Sequence, residues 1–345
     1  MKILTEVILL GGLLMAFQAP AQPIDLGVWS EWTEPAELVH DLPVLKERSL
    51  RLHVATRLDP SQTLELSGIE QLLRQAENQK VEVWLWPLLP KDRGYWLNQW
   101  NANTYALQVR ALVEHIQSSG LSFAGISMDL EPPPEVLEEL LQTASRLQFQ
   151  KLVEIGHTLQ NELLYESAQS EIRTLAEWLH LRGVKTHLVT TSLLLTEELP
   201  GEPGDALERS LGIPVVPEAF DYLSFMSYRS EFERMIGRMN SRVVYEHGLR
   251  AKARYGEKAG IDLGVVGDIE FPHAVHGYRN PKRLHQDLGA LRAAGISRAQ
   301  VYCWEGMRDP QWGFQKEFDR KPIFSLKFSL MDAFFSYLQK LLTKP

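Results

Sequence analysis

The 345-residue chain has one cysteine, Cys303, so no intramolecular disulfide can form and stability must come from the core. Lysine and arginine are scattered rather than clustered, and the net charge is −8. That excludes nucleic acid as a partner, because phosphate binding needs a concentrated basic surface. The sequence lacks a Gly-x-Ser-x-Gly elbow and a phosphate-binding Gly-rich loop ending in Gly-Lys-Ser/Thr, so neither serine-hydrolase nor nucleotide chemistry has a motif here. Metal-ligand spacing is missing too: His273 and His276 in "HAVH" are flanked by Pro272 and Gly277 and read as a surface loop. No cofactor is expected. Apolar runs are short against the roughly 20 residues a membrane span needs. The segment "PIFSLKFSLMDAFFSYLQKLL" is broken by Lys327, Asp332 and Lys340 and reads as a closing amphipathic helix.

At the N-terminus, Lys2, the apolar run Val7 to Phe17 and Ala19-Pro20-Ala21 have the form of a signal peptide over residues 1–21. The expectation is export to the periplasm or the extracellular space. Glu6, where positive charge is usual, leaves an uncleaved membrane tether as the alternative. The rest, 22–345, shows no linker or composition shift and reads as one domain.

What is present is a regular alternation. Eight β-rich runs, 23–31, 50–56, 81–89, 123–131, 186–195, 221–228, 261–269 and 299–305, are separated by segments of helical period. The runs are mostly apolar rather than strictly alternating, the mark of parallel strands buried on both faces. The fold class is therefore α/β, a (β/α)8 barrel. The stretch between Glu131 and Thr186 exceeds one crossover and predicts an extra helical insertion after strand four. In "NTYALQVRALVEHIQSSG", Asn103 is the expected cap and Gly120 the stop.

Chemistry in this fold belongs to the C-terminal ends of the strands. Those ends carry Trp29, Glu31, Thr56, Arg57, Trp84, Trp86, Asp129, Glu131, Thr191, Ser192, Tyr228, Arg229, Asp268, Glu270, Trp304 and Glu305. Carboxylates and tryptophans dominate. Aromatic faces stack on sugar rings and carboxylates act at the anomeric centre, so the pattern points to a polysaccharide or oligosaccharide as partner. In "FAGISMDLEPPPE", Asp129 and Glu131 are two apart on a strand and share a face. Glu131 is the expected general acid, with Asp129 one layer deeper. Pro132 keeps Glu131 out of the helical region and the next two prolines stiffen the loop.

These residues resemble glycoside hydrolase family 18, the chitinase-like barrels, whose fourth strand carries D-x-x-D-x-D-x-E. Asp129 and Glu131 match the last two acids, while Ala124 and Ser127 replace the first two. "DYLSFMSY" puts Tyr228 at the family's sixth-strand tyrosine, and "VYCWE" puts Trp304 at its eighth-strand tryptophan. Strand three departs, reading "WLWPLLP". The resemblance implies substrate-assisted retention on 2-acetamido sugars: Glu131 protonates the leaving oxygen, Asp129 orients the acetamido group, Tyr228 donates to its oxygen and Trp304 floors the pocket. Trp29, Trp86, Glu31, Asp268, Glu270 and Glu305 are the further expected substrate contacts. With Ser127 in the motif, Asp129 is expected to lack the like-charged neighbour that would raise its pKa. Two alternatives stand beside this: a retaining glycosidase with a nucleophile from Asp268 or Glu270, or from Glu31 or Glu305, and a barrel that binds carbohydrate without cleaving it.

Overall fold

The computed structural model describes residues 24–62, 64–146, 148–196, 206–230, 233, 240–269, 275–278, 280–309 and 312. The expected signal segment, the closing C-terminal helix, Glu270 and His273 lie outside the described residues. Eight parallel strands close into a barrel in the order β1 (Asp25–Ser30), β2 (Arg51–Arg57), β3 (Val83–Leu88), β4 (Gly125–Leu130), β5 (Lys185–Thr191), β6 (Tyr222–Ser227), β7 (Ala259–Gly264) and β10 (Arg298–Tyr302). The seam joins β10 back to β1 with Val28 opposite Val301 and Trp29 opposite Tyr302. Buried side chains on both faces of each strand explain the near-continuous apolar runs.

Helices cover the outside. In Ala102–Ser118, Tyr105, Val109, Leu112, Val113 and Ile116 form one buried stripe. This helix begins just before the expected cap. Asn101 precedes it, but the Asn101 side chain serves the loop instead, accepting from the Asn98 N–H at 2.9 Å and donating to the Trp96 carbonyl at 2.7 Å. Gly120, at φ +67°, then turns the chain, a conformation glycine adopts without Cβ strain. The insertion after β4 consists of Pro134–Ser145, Phe149–Leu159 and Glu162–Leu181. Among the described residues, no helix is long and apolar enough to cross a membrane.

One strand is shorter than its sequence suggested. β7 stops at Gly264, and Gly267 (φ +82°) turns the chain into a small antiparallel pair, β8 (Asp268–Ile269) with β9 (Val275–His276). Asp268 therefore sits in this ribbon, beyond the end of the barrel strand.

The lumen is filled by rings set over glycines. A Cβ at Gly125 would meet Trp84 at 2.4 Å and the Lys185 carbonyl at 2.5 Å, and one at Gly27 would meet His53 at 2.9 Å. Trp84, expected at the mouth, is thus at the opposite end, stacked on His53 with centroids 5.7 Å apart. Above it runs a chain of polar contacts: His53 Nδ1 to Ser127 Oγ (2.8 Å), Ser127 Oγ to His187 Nδ1 (3.2 Å) and His187 Nε2 to Ser224 Oγ (2.8 Å). Burial pushes both histidines well below their ordinary pKa, so they bond as neutral rings. Replacing Gly125 with alanine should force Trp84 or β5 aside and cost about 1–3 kcal/mol in denaturant unfolding; an unchanged midpoint would show that the lumen has slack at this level.

Candidate active site

β4 brings two acids to the mouth at different depths. Asp129 is 7% exposed, and Glu131, the residue after the strand, is half-buried. The Glu131 N–H donates to the Leu97 carbonyl at 3.1 Å, and the Leu97 N–H donates to the Asp129 carbonyl at 3.0 Å. The loop after β3 thus continues the sheet beside β4 and fixes the backbone that carries the acid. The prolines then change the conformation: Pro133 is extended (φ −50°, ψ 147°), and Pro134 opens the next helix, where a missing N–H costs no intrahelical bond.

The Asp129 Oδ1 is buried without a hydrogen-bond partner among the described residues. Burial, followed by the charges of Glu131, Asp262 and Glu31, pushes its pKa well above the carboxylate range. This corrects the expectation from Ser127. The serine bonds to His53 and His187. Negative neighbours reach Asp129 from other strands instead.

Around the acids lies an aromatic cluster separate from the main core, comprising Trp29, Trp86, Tyr95, Trp96 and Tyr302 with half-buried Tyr228, Met226 and Leu137 against it. Trp29 meets Trp86 edge-on at 4.9 Å, and Tyr228 stacks on Tyr302 at 6.0 Å. Glu31 is held among these rings. Its Oε1 accepts from the Tyr95 hydroxyl at 2.6 Å, its Oε2 accepts from the Tyr302 hydroxyl, and Arg57 donates to its backbone carbonyl at 2.8 Å. Burial raises the Glu31 pKa, against the lowering effect of both tyrosines and Arg57.

Four of the strand-end residues lie elsewhere or are otherwise engaged. Trp304 is 1% exposed in the main core, and its Nε1 donates to Asp41 at 2.8 Å, so it does not floor the mouth. Glu305 acts as a latch: Oε1 accepts from the Ser30 hydroxyl at 2.8 Å and from the Trp32 and Thr33 N–H groups at 3.0 and 3.1 Å. Asp268 lies in the ribbon after β7. Arg229 is buried in an ion pair with Asp287 at 2.9 Å. Among the described residues, no group of His, Cys, Asp and Glu is arranged to hold a metal ion.

Sequence reading missed Asp262, Tyr95 and Tyr302. Asp262 is fully buried in β7, and its Oδ2 accepts from Trp29 Nε1 at 2.8 Å. Its signal was visible as a lone carboxylate inside the apolar run "AGIDLGVV". Burial pushes its pKa up to about 7, tempered by the Trp29 N–H, the Ser224 hydroxyl and the charge of Arg51.

No family model matches the chain, and no curated protein matches it. Among solved structures it is similar to the spore cortex-lytic enzyme SleL of Bacillus megaterium QM B1551, at 9% identity over 88% of this chain and 76% of that one, TM-score 0.52. It is also similar to a class V chitinase from Pseudomonas fluorescens Pf-5, at 12% identity over 86% and 97%, TM-score 0.51. A third is the GH1 beta-glucosidase of Exiguobacterium antarcticum B7, at 10% identity over 84% and 89%, TM-score 0.50. At these identities the likeness is one of fold.

Asp262 gives the site a pH-dependent cost. Its folded pKa of about 7 exceeds the unfolded value of 3.8, so the folded state holds the proton more tightly and stability falls as pH rises between those limits. Relative to Asp262→Asn, the wild-type protein should lose up to about 1.4 kcal/mol per pH unit across this window and nothing further above it. Denaturant unfolding of both proteins over a pH series reads this directly; a constant difference would mean that Asp262 does not titrate there.

Proposed function

We propose that the chain cleaves O-glycosidic bonds in an oligosaccharide or polysaccharide of 2-acetamido sugars, with Glu131 as general acid and the substrate's own acetamido oxygen as nucleophile. The observation that carries this reading is the pair on β4. A half-buried acid stands at an aromatic-lined mouth, and a buried acid whose pKa is driven far up lies behind it. The fold likeness to a chitinase and a spore cortex-lytic enzyme accords with it.

In the first step Glu131 gives its proton to the leaving oxygen as the glycosidic C–O bond breaks and the acetamido oxygen bonds to the anomeric carbon. Water then attacks that carbon, the bond to the acetamido oxygen breaks, and the water's proton passes to Glu131. Asp129, protonated in its buried site, hydrogen-bonds the acetamido group, and Tyr228 donates to the acetamido oxygen as charge develops. Trp29 and Trp86 are buried beneath the mouth and brace the groups that line it. Substrate assistance is favoured because the Glu305 carboxylate is committed to the loop after β1, and Asp268 belongs to the ribbon beyond the end of the barrel strand. One observation favours a second reading. Glu31, held by two tyrosine hydroxyls, has the fixed orientation a protein nucleophile needs. We further take the N-terminal segment as an export signal, which N-terminal sequencing of the exported protein would test by a start after Ala21.

Wild-type protein should cleave N-acetylated oligosaccharides and leave non-acetylated ones intact. Glu131→Gln should lower turnover on the order of 10²–10⁴-fold while oligosaccharide binding, followed by tryptophan fluorescence, is retained. Cleavage of non-acetylated sugars would transfer the nucleophile's role to Glu31. Unchanged turnover in the variant would remove Glu131 from the chemistry, and binding without turnover by the wild type would make the barrel a carbohydrate-binding protein.

A further inference from the structure

The two arginines at the strand ends differ in how their charge is met. Arg229, after β6, is buried and paired with Asp287 at 2.9 Å. Arg57, the last residue of β2, is exposed and forms no ion pair with a described residue. It is nevertheless held in place. One terminal nitrogen donates to the Glu31 carbonyl at 2.8 Å, the other donates to the Tyr95 hydroxyl at 3.1 Å, and the guanidinium carbon lies 5.8 Å from the centre of the Trp32 ring. These bonds use two of the N–H groups, and a guanidinium has about five. The groups that hold it come from two loops. Trp32, 42% exposed, belongs to the loop after β1, which Glu305 fixes through the Trp32 and Thr33 N–H groups. Tyr95 belongs to the loop after β3, where Gly94 at φ +89° turns the chain and the Leu89 N–H donates to the Tyr95 carbonyl at 2.9 Å.

We propose that Arg57 and Trp32 form a subsite at the rim of the mouth for a carboxylate-bearing sugar, so that the saccharide cleaved carries acidic substituents beside its 2-acetamido groups. The inference rests on the reading of Glu131 and the acetamido group given above. A planar guanidinium presents paired donors to a carboxylate, and the exposed indole beside it offers apolar surface to the ring that bears the acid. Trp29 and Trp86, each 3% exposed, lie too deep for that part. Exposed ion pairs usually gain little, because long side chains must be ordered to form them. Here three contacts order the arginine before any ligand arrives, so that cost is already met on the protein's side. The protein's own carboxylates leave the place open. Both Glu31 oxygens are taken by the Tyr95 and Tyr302 hydroxyls, and Glu34, exposed in the same loop, acts on Arg57 only from beyond ion-pair distance. On a chain of net charge −8 an acidic sugar is not attracted by the protein as a whole, so recognition has to be local.

The test compares two N-acetylated oligosaccharides of equal length, one neutral and one bearing carboxylates, by titration calorimetry on the full chain carrying Glu131→Gln. The acidic sugar should bind about five- to tenfold more tightly, and added salt should shrink that preference. Introducing Arg57→Gln should abolish the preference and leave binding of the neutral sugar in place, whereas a merely structural Arg57 would weaken both sugars alike. Should the glutamine variant fail to fold, Arg57→Lys supplies the comparison, with a reduced preference because the planar fork is lost. Equal affinity for the two sugars with Arg57 present, or a preference that survives its replacement, overturns the inference and leaves the reaction untouched. Full turnover of the neutral sugar by Glu131→Gln overturns the reaction and leaves a preference that depends on Arg57 standing.

Discussion

The constraint on which the structure turns is the burial of charge inside a closed barrel. A lumen of low polarisability penalises every ionised group it holds. The protein meets this by grading the lumen from end to end. Arg51 and Arg298 lie at the N-terminal end of the strands and are drawn outward to Asp25, at 3.0 and 3.2 Å. Neutral histidines and serines occupy the middle. Acids occupy the level of the mouth. A layer that carries no charge separates the cations from the acids, and burial shifts Asp129, Glu31 and Asp262 toward their protonated forms. A barrel with an arginine in that middle layer would have paired and ionised carboxylates, which suit an electrostatic anchor and not a proton donor.

The same grading explains why the aromatic residues divide into two groups. Those at the mouth pack on one another, and the polar edges of Trp29, Tyr95 and Tyr302 find partners in Asp262 and Glu31, while the Trp86 Nε1 is buried without a hydrogen-bond partner among the described residues. Trp84 fills the base, where Gly125 leaves room for its ring. Trp304 belongs to the outer core and satisfies its indole on Asp41. Trp86 apart, each of these rings sits where its N–H or O–H reaches an acceptor.

Much of the fold was legible because strand order and helix insertion are written in local patterning: the eight runs, the long stretch after Glu131, and the stripe from Tyr105 to Ile116. Asp129 and Glu131 were legible for the same reason, since their common face depends only on spacing along one strand. What the sequence hid depends on contacts across the barrel. Nothing near Tyr302 indicates that its hydroxyl meets Glu31, and nothing near Asp262 indicates that it accepts from the Trp29 indole. The end of β7 was misplaced because "VVGDI" keeps strand-like composition through a turn at Gly267. Trp304 was misassigned because β10 ends at Tyr302 and Trp304 opens a short helix, Trp304–Met307, so strand alternation no longer sets its direction.

The latch at the seam bears on when the site comes into being. Ser30 and Glu31 are among the first described residues of the chain, yet their partners are Glu305 and Tyr302, near the last. A nascent chain holding everything up to β7 contains both acids of β4 and most of the rings, but its opening strand has neither its neighbour nor the tyrosine that orients Glu31. Contacts so distant in sequence form late. The mouth is therefore completed only when the last barrel strand closes on the first.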